Sequence, residues 1–370
     1  MKIKNYLYKF IRYISIYGFS RTLVKSLSRY RPKIKIWRIL KFPNYKFNQH
    51  KVAIIGCGFH AYSSIAYYIT KFTDSKIVFV YDINTNAAET LAFAFNSKSI
   101  KKNEIEENIK KFKPDLAYIA TNHSTHTDYA IKFLKNDCDV YIEKPISINF
   151  EQLNKLSDNL NLKKNRIFAG YNRPYSKSMT IVKNFLDNKN PLTISYFIIG
   201  HLIDDDHWYR DPKEGSRIVG NVGHWIDLSL HILYWKTLKP QHFDINISYS
   251  NINTPSDNLN ITMISNTGDL FNITFTSRGD PFEGVSEMIN IQQKEKIIKI
   301  DDFRSTKVWN KAKLVKYKHW PKDNGHKNAV LEPYNNIINR EWEEIKTSTK
   351  LMIYIENMIK KTEVNSRFIF

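Results

Sequence analysis

The sequence predicts an α/β chain: an N-terminal doubly wound parallel sheet, then an α+β domain with a large mixed, mainly antiparallel sheet. Three observations predict it. Between residues 51 and 173, short apolar runs alternate with helical stretches, the rhythm of a parallel sheet covered on both faces. A glycine turn, Gly56-Cys57-Gly58, follows the first run directly. From about His242 the runs come closer together and alternate apolar with polar residues, as half-buried antiparallel strands do.

In the first domain the strands are expected at Lys51–Ile55, Lys76–Tyr81, Asp115–Ala120, Asp139–Ile142 and Arg166–Gly170. Helices are expected from the glycine turn to Lys71, over Thr85–Asn96, Glu104–Phe112 and Thr125–Lys135, and from Asn149 onward. The right-handed crossover rule turns this alternation into a doubly wound sheet. The second domain, 174–370, opens with a helix over Ser176–Asp187 and a strand at Leu192–Ile199. Residues 201–219 show no period, and Val222–Leu233 reads as a helix. Strands follow at His242–Ser248, Leu259–Ile264, Leu270–Thr276, Met288–Gln293, Lys296–Ile300 and Lys313–Tyr317. The stretch from Asn328 to Lys360 reads as helical.

Composition narrows the function classes. The net charge of +20 suggests nucleic acid, but residues 1–50 hold 13 Lys or Arg and no acid. The rest has 43 basic against 36 acidic residues, a net of +7 that reads as a solvated surface. Within 1–50, Leu7, Phe10, Ile11, Ile14, Leu23 and Leu27 recur at helical spacing, so this basic extension is expected to be amphipathic. It can pack on the body or on a second subunit, lie on an anionic membrane surface, or serve as a basic arm. No nucleic-acid module is discernible, so no nucleic-acid partner is expected. No apolar run is long enough to span a bilayer, and no secretory signal is discernible. Cys57 and Cys138 give neither a disulfide framework nor metal spacing, so a reducing, cytoplasmic setting is expected.

The chemistry concentrates in a few motifs. Gly56-Cys57-Gly58-Phe59-His60-Ala61 is a G-x-G-x-x-A fingerprint. Its first glycine permits the tight turn, the second admits a pyrophosphate, and the small third residue lets the helix pack close. Asp82 ends the next strand, 24 positions after Gly58, where a carboxylate accepts hydrogen bonds from a ribose diol. This is the layout of a Rossmann dinucleotide-binding domain, assigned to 51–173. Ile83 and Asn84 follow Asp82 and no arginine does, which favours NAD over NADP. Glu143-Lys144-Pro145 closes the fourth strand, at the carboxyl edge where open α/β sheets bind ligands. A lysine there can polarise or hold a substrate oxygen.

With Ile119-Ala120-Thr121-Asn122 and Gly170-Tyr171-Asn172-Arg173, these motifs resemble the Gfo/Idh/MocA oxidoreductase family, which includes glucose–fructose oxidoreductase and inositol dehydrogenase. The resemblance covers about 51–235 by motif and the rest by pattern; residues 1–50 lie outside it. It implies that Lys144 touches both nicotinamide ribose and substrate, and that His126 lies near the cofactor. The family's Asp-x-Gly-x-His, with another Asp three residues later, corresponds to Gly220-Asn221-Val222-Gly223-His224-Trp225-Ile226-Asp227. His224 and Asp227 match; Gly220 and Val222 depart from the pattern and put the proton relay in doubt. An Arg217-Ile218-Val219-Gly220 lead-in, with His207 and Trp208 upstream, resembles a subset associated with surface-polysaccharide genes. A rival alignment uses Asp227 and His231, four apart on one helical face.

The expected chemistry is hydride transfer between nicotinamide and a secondary alcohol or ketone of a sugar, inositol or nucleotide-sugar. His224 would serve as general base, since imidazole exchanges protons near neutral pH. Lys144 would stabilise the developing negative charge on oxygen. Expected cofactor contacts are Gly56, Gly58, Phe59, His60, Asp82, Thr121, Asn122, His126, Glu143 and Lys144. Expected substrate contacts are Lys144, Tyr171, Arg173, His207, Trp208, Arg217 and His224. Asp204-Asp205-Asp206-His207 lacks further spaced ligands, so no metal is expected. By analogy, a homo-oligomer is expected. Two other readings stay open: a non-catalytic dinucleotide binder, and a redox-neutral glycosidase that uses NAD transiently.

Overall fold

In a computed structural model, residues 2–40 and 49–370 are described, with side chains from residue 8 onward. Leu7 and residues 41–48 of the expected extension lie outside this description. The chain forms two compact units: residues 1–171 with 326–342, and residues 172–325 with 343–370.

The first unit holds a six-stranded parallel sheet. Its strands are β1 (Lys51–Ile55), β2 (Lys76–Tyr81), β3 (Lys98–Ser99), β4 (Leu116–Ile119), β5 (Asp139–Ile142) and β6 (Ile167–Ala169). Their spatial order is β3-β2-β1-β4-β5-β6. The order reverses between β1 and β4, so the loops after these strands open at a topological switch point. The apolar runs are explained by burial on both faces: Val52–Ile55 and Leu116–Ile119 are all buried. Only the two-residue β3 escapes the sequence pattern, being too short to show a period.

Two helices, α1 (Lys2–Tyr17) and α2 (Phe19–Tyr30), and a short α3 (Ile36–Leu40) form the extension. They pack on the first unit, where Val24, Ile36 and Leu40 join the same core as Val52 and Ile54. Arg21 donates to Ser64 Oγ at 2.7 Å, and Ser20 Oγ lies 2.8 Å from the Tyr67 hydroxyl. The body of the unit adds α4 (Tyr67–Phe72), α5 (Thr85–Phe95), α6 (Ile105–Phe112), α7 (His126–Leu134) and α8 (Phe150–Asp158).

The second unit begins with α9 (Lys177–Phe185), then β7 (Thr193–Ile199) and α10 (Gly223–Tyr234). The remaining strands are β8 (His242–Tyr249), β9 (Asn258–Ser265), β10 (Leu270–Thr276), β11 (Ser286–Gln293), β12 (Lys296–Asp301), β13 (Ser305–Asn310), β14 (Lys313–Lys318) and β15 (Asn365–Ile369). Together with β7 they form one nine-stranded sheet, ordered β14-β13-β12-β11-β7-β10-β9-β8-β15. Only β7 and β10 pair in parallel. Alternate residues are buried, as Ile194, Tyr196 and Ile198 of β7 show. The expected helix over 328–360 is two helices, α11 (His326–Asn335) and α12 (Trp342–Lys360). The Glu332 carboxylate accepts the backbone N–H groups of Ile337, Ile338 and Asn339, which ends α11. Tyr118 on β4 donates to the Val330 carbonyl at 2.6 Å, tying α11 to the parallel sheet. No described helix is long and apolar enough to cross a membrane.

Candidate active site

In the first unit the site grows from the β1 turn. Gly56 has φ 91°, and a Cβ there would strike the Ala120 carbonyl oxygen at 2.3 Å, so only glycine fits. Gly58 is different: a Cβ there meets nothing within 4 Å, so its backbone faces open space ahead of the helical run that begins at Phe59. That run contains a π turn over Ala61–Ala66, a distortion that concentrates at functional sites. Asp82 sits where its motif demands. Its carboxylate accepts the Cys57 N–H at 2.6 Å and the Asn84 N–H at 2.8 Å, which fixes it against the glycine turn. Open backbone at Gly58, helix amides beyond it and a fixed carboxylate suit a pyrophosphate and a ribose diol, so these residues fit NAD.

The β5 turn carries Glu143 and Lys144. His60 Nε2 lies 3.0 Å from Glu143 Oε1, and the Tyr141 hydroxyl donates to the same oxygen at 3.1 Å. Burial raises the Glu143 carboxyl, but its interaction and hydrogen bond with His60, the charge of Lys144 and the bond from Tyr141 together outweigh it and hold the group below the usual carboxylate range. This contact joins the fingerprint to the Glu-Lys-Pro turn and places Lys144 at the carboxyl edge of the sheet, next to the dinucleotide's expected place. The Lys144–Pro145 peptide is cis. On the neighbouring loop, Thr125 Oγ1 donates to Thr121 Oγ1 at 2.8 Å, and Asn122 precedes a single turn over His123–Thr125.

His126 follows that turn, at the start of α7. It is buried, with Nδ1 2.8 Å from the Pro145 carbonyl and Nε2 3.0 Å from the Thr121 carbonyl. Burial pulls its imidazole below the ordinary value, against the pull of those two carbonyls. A neutral ring donates to only one of them at a time. The residue therefore ties the β4 and β5 loops together.

In the second unit, a π turn over Ile218–Val222 leads straight into α10, whose second residue is His224. His224 is half-buried and its ring packs edge-on to Trp225, with centroids 6.0 Å apart. The rival, His231, is buried, with Nδ1 2.8 Å from Glu344 Oε1 and Nε2 accepting from Trp235 Nε1 at 3.2 Å. Both of its ring nitrogens are engaged, so it is a packing residue. Asp227 is buried and accepts the Ser348 hydroxyl at 2.8 Å.

Three expected substrate contacts are buried side chains. Tyr171 is fully buried. Arg173 is buried and forks onto Glu287, with Nε to Oε2 at 3.1 Å and an Nη to Oε1 at 2.8 Å. Arg217 is buried and donates to Asp257 Oδ1, Ser277 Oγ and the His201 carbonyl. These bonds of the two arginines all run to residues of their own unit. His207 and Trp208 stay accessible: His207 caps a single turn by accepting the Tyr209 N–H at 3.2 Å, and Trp208 is 40% exposed. Glu287 and the His60–Glu143 contact carry no signal in the sequence, because each joins residues far apart in the chain.

Comparison with known proteins agrees with this geometry. Residues 50–171 match the model of the Gfo/Idh/MocA family, an oxidoreductase family with an NAD-binding Rossmann fold. A glucose-6-phosphate 3-dehydrogenase from Bacillus subtilis (strain 168) is 26% identical over 188 residues, 50% of this chain and 51% of that protein. The chain thus spans about half the length of that curated relative. Among solved structures, an aldose-aldose oxidoreductase from Caulobacter crescentus superposes with a TM-score of 0.70 at 12% identity, covering 87% of this chain and 100% of the other. A myo-inositol dehydrogenase from Lactobacillus casei, solved with NAD(H) and myo-inositol, gives 0.65 at 17% identity over 86% and 96%. At these identities the likeness shows the fold.

Proposed function

We propose that the protein, whose residues 50–171 match the NAD-binding Rossmann fold of the Gfo/Idh/MocA oxidoreductase family, transfers a hydride between NAD and a secondary alcohol or ketone of a sugar, inositol or nucleotide-sugar. The observation that supports the reading is the His60–Glu143 contact at 3.0 Å, which joins the glycine-turn helix to the loop that carries Lys144. Bound NAD supplies the hydride acceptor or donor. The ammonium of Lys144 holds the substrate oxygen and stabilises its negative charge. His224 takes the hydroxyl proton during oxidation and returns it during reduction. His207 and Trp208 are the accessible candidates for contact with a sugar ring. Support for a sugar comes from the kinds of relative named above; a place in surface-polysaccharide synthesis rests on the Arg217–Gly220 lead-in with His207 and Trp208 upstream. Buried free thiols at Cys57 and Cys138 support a cytoplasmic setting.

The cofactor half is tested by fluorescence titration with NADH and NADPH. The wild-type protein is expected to prefer NADH. Asp82→Ala is expected to erase that preference, because its carboxylate both accepts the ribose diol and repels a 2′-phosphate. A folded protein that binds neither nucleotide would remove the basis of the reading.

Two partner surfaces belong to the same proposal. The outer side of the extension exposes Tyr8, Ile11, Phe19 and Leu23 among basic residues, the composition of an anionic membrane surface contact. Sedimentation with anionic vesicles, but not neutral ones, is expected, and Ile11→Glu with Phe19→Glu should abolish it. Binding unaltered by those charges would defeat this surface. The outward side of the nine-stranded sheet exposes Phe197, Met288, Ile264 and Ile297, which supports a homo-oligomer. Light scattering that returns a monomer mass at micromolar concentration would overturn it.

A further inference from the structure

The extension lies outside the family resemblance, yet one of its side chains reaches the dinucleotide turn. Arg31 ends α2 in a left-handed conformation, φ 45°, with its N–H on the Leu27 carbonyl at 2.8 Å. This swings its side chain onto the body of the unit. One guanidinium nitrogen donates to the Cys57 carbonyl at 2.5 Å. The other donates to the Ala87 carbonyl at 3.0 Å and to Thr90 Oγ1 at 3.2 Å, both on α5. The guanidinium also lies over the Tyr62 ring, 5.5 Å from its centroid.

The geometry is that of a clamp. Cys57 is the middle residue of the glycine turn. Its N–H is held by Asp82 and its carbonyl by Arg31, so both sides of the residue are pinned. The α5 helix follows Asp82, the residue just beyond β2. Arg31 therefore bridges the turn that receives the pyrophosphate and the helix behind the residue that receives the ribose. A planar fork with fixed donors suits such a bridge, whereas a lysine offers one point charge. The neighbouring Arg29 guanidinium lies 5.9 Å from the Phe59 ring, adding positive charge on the same side.

We propose that the N-terminal extension is a working part of the dinucleotide site, with Arg31 as a positioning residue that holds the glycine turn and α5 in the arrangement NAD requires. Loss of the clamp lets the turn sample other geometries, and nucleotide binding then has to order it. By linkage, NAD binding also stabilises the docked extension. The inference rests on the proposed function, since it presumes that the turn receives a dinucleotide.

The test is a set of NADH titrations on full-length wild type, Arg31→Ala, Arg31→Lys and Arg21→Ala, with melting curves for each. Arg21 anchors the same extension through Ser64 without touching the turn, so it controls for anchoring alone. Arg31→Ala is expected to weaken NADH about tenfold, within the usual range of coupling between sites. Arg21→Ala is expected to lower the melting temperature and leave NADH affinity within twofold. Arg31→Lys is expected to recover only part of the loss. The clamp is overturned if Arg31→Ala binds like wild type, if Arg21→Ala weakens binding equally, or if Arg31→Lys restores it fully. Absence of NADH binding to the wild type would instead defeat the proposed function itself, which keeps the two failures apart.

Discussion

Lys144→Ala is expected to lower kcat about 10²- to 10⁴-fold while leaving NADH affinity within a few-fold. The reason lies in where charge appears. In the bound alcohol the oxygen is neutral, and as the carbon–hydrogen bond breaks the oxygen becomes anionic in character. An ammonium positioned by the β5 turn gains interaction energy at that moment, so its removal raises the barrier more than it weakens ground-state binding. The signature is an equal fall in kcat and kcat/KM. Glu143 and His60 fix the turn, and neither is removed, so the nucleotide turn should persist. His224→Ala should show a comparable loss. The outcome also separates the rival readings. A non-catalytic dinucleotide binder has no turnover for Lys144 to lose. A redox-neutral glycosidase would release sugar with tightly kept NAD and no net absorbance change. Turnover that survives both substitutions would remove this pair from the chemistry.

The legible parts of the fold were those whose physics is local. Strands β1, β2, β4 and β5 are buried on both faces, and a run such as Val52–Ile55 has no other stable home. Asp82 could be read because its role depends only on ending the strand after the glycine turn. By contrast, β13 carries few apolar residues in Ser305–Asn310, and β15 is a short edge strand whose pairing with β8 spans more than a hundred residues of chain. The break between α11 and α12 depends on Glu332 capping three N–H groups, a geometry that no periodicity encodes. The same limit applies to the site. Motifs made Lys144, His224, Arg173 and Arg217 candidates alike, but no motif shows that Arg173 and Arg217 are held in buried ion pairs. Their partners, Glu287 and Asp257, lie 114 and 40 residues away. Arg31 was read as part of a basic run, and only its contact with Cys57 distinguishes it from the other cations there.

Glu287→Ala is expected to destabilise the second unit by about 3–5 kcal/mol, the typical result of removing one partner from a buried ion pair. Glu287 is 1% exposed and does three things at once. It takes both prongs of Arg173, and its Oε2 also accepts the Trp225 Nε1–H at 2.8 Å. Truncation leaves a buried guanidinium with no counter-charge, held only by Asn172 Oδ1 at 2.8 Å, and an indole donor without an acceptor, and each unmet bond adds its desolvation cost. For a unit of this size the melting temperature should fall by roughly 6–20 °C. Glu287→Gln should fall less, because an amide oxygen still accepts from Trp225. The double change Arg173→Met with Glu287→Leu should recover much of the loss, since no charge is then stranded. Activity should suffer even where the protein stays folded. Trp225 adjoins His224 on α10, so releasing the indole loosens the imidazole and lowers kcat with little change in NADH affinity. A melting temperature within about 3 °C of wild type for Glu287→Ala would show that water reaches Arg173, and that this network does not hold the start of α10 in place.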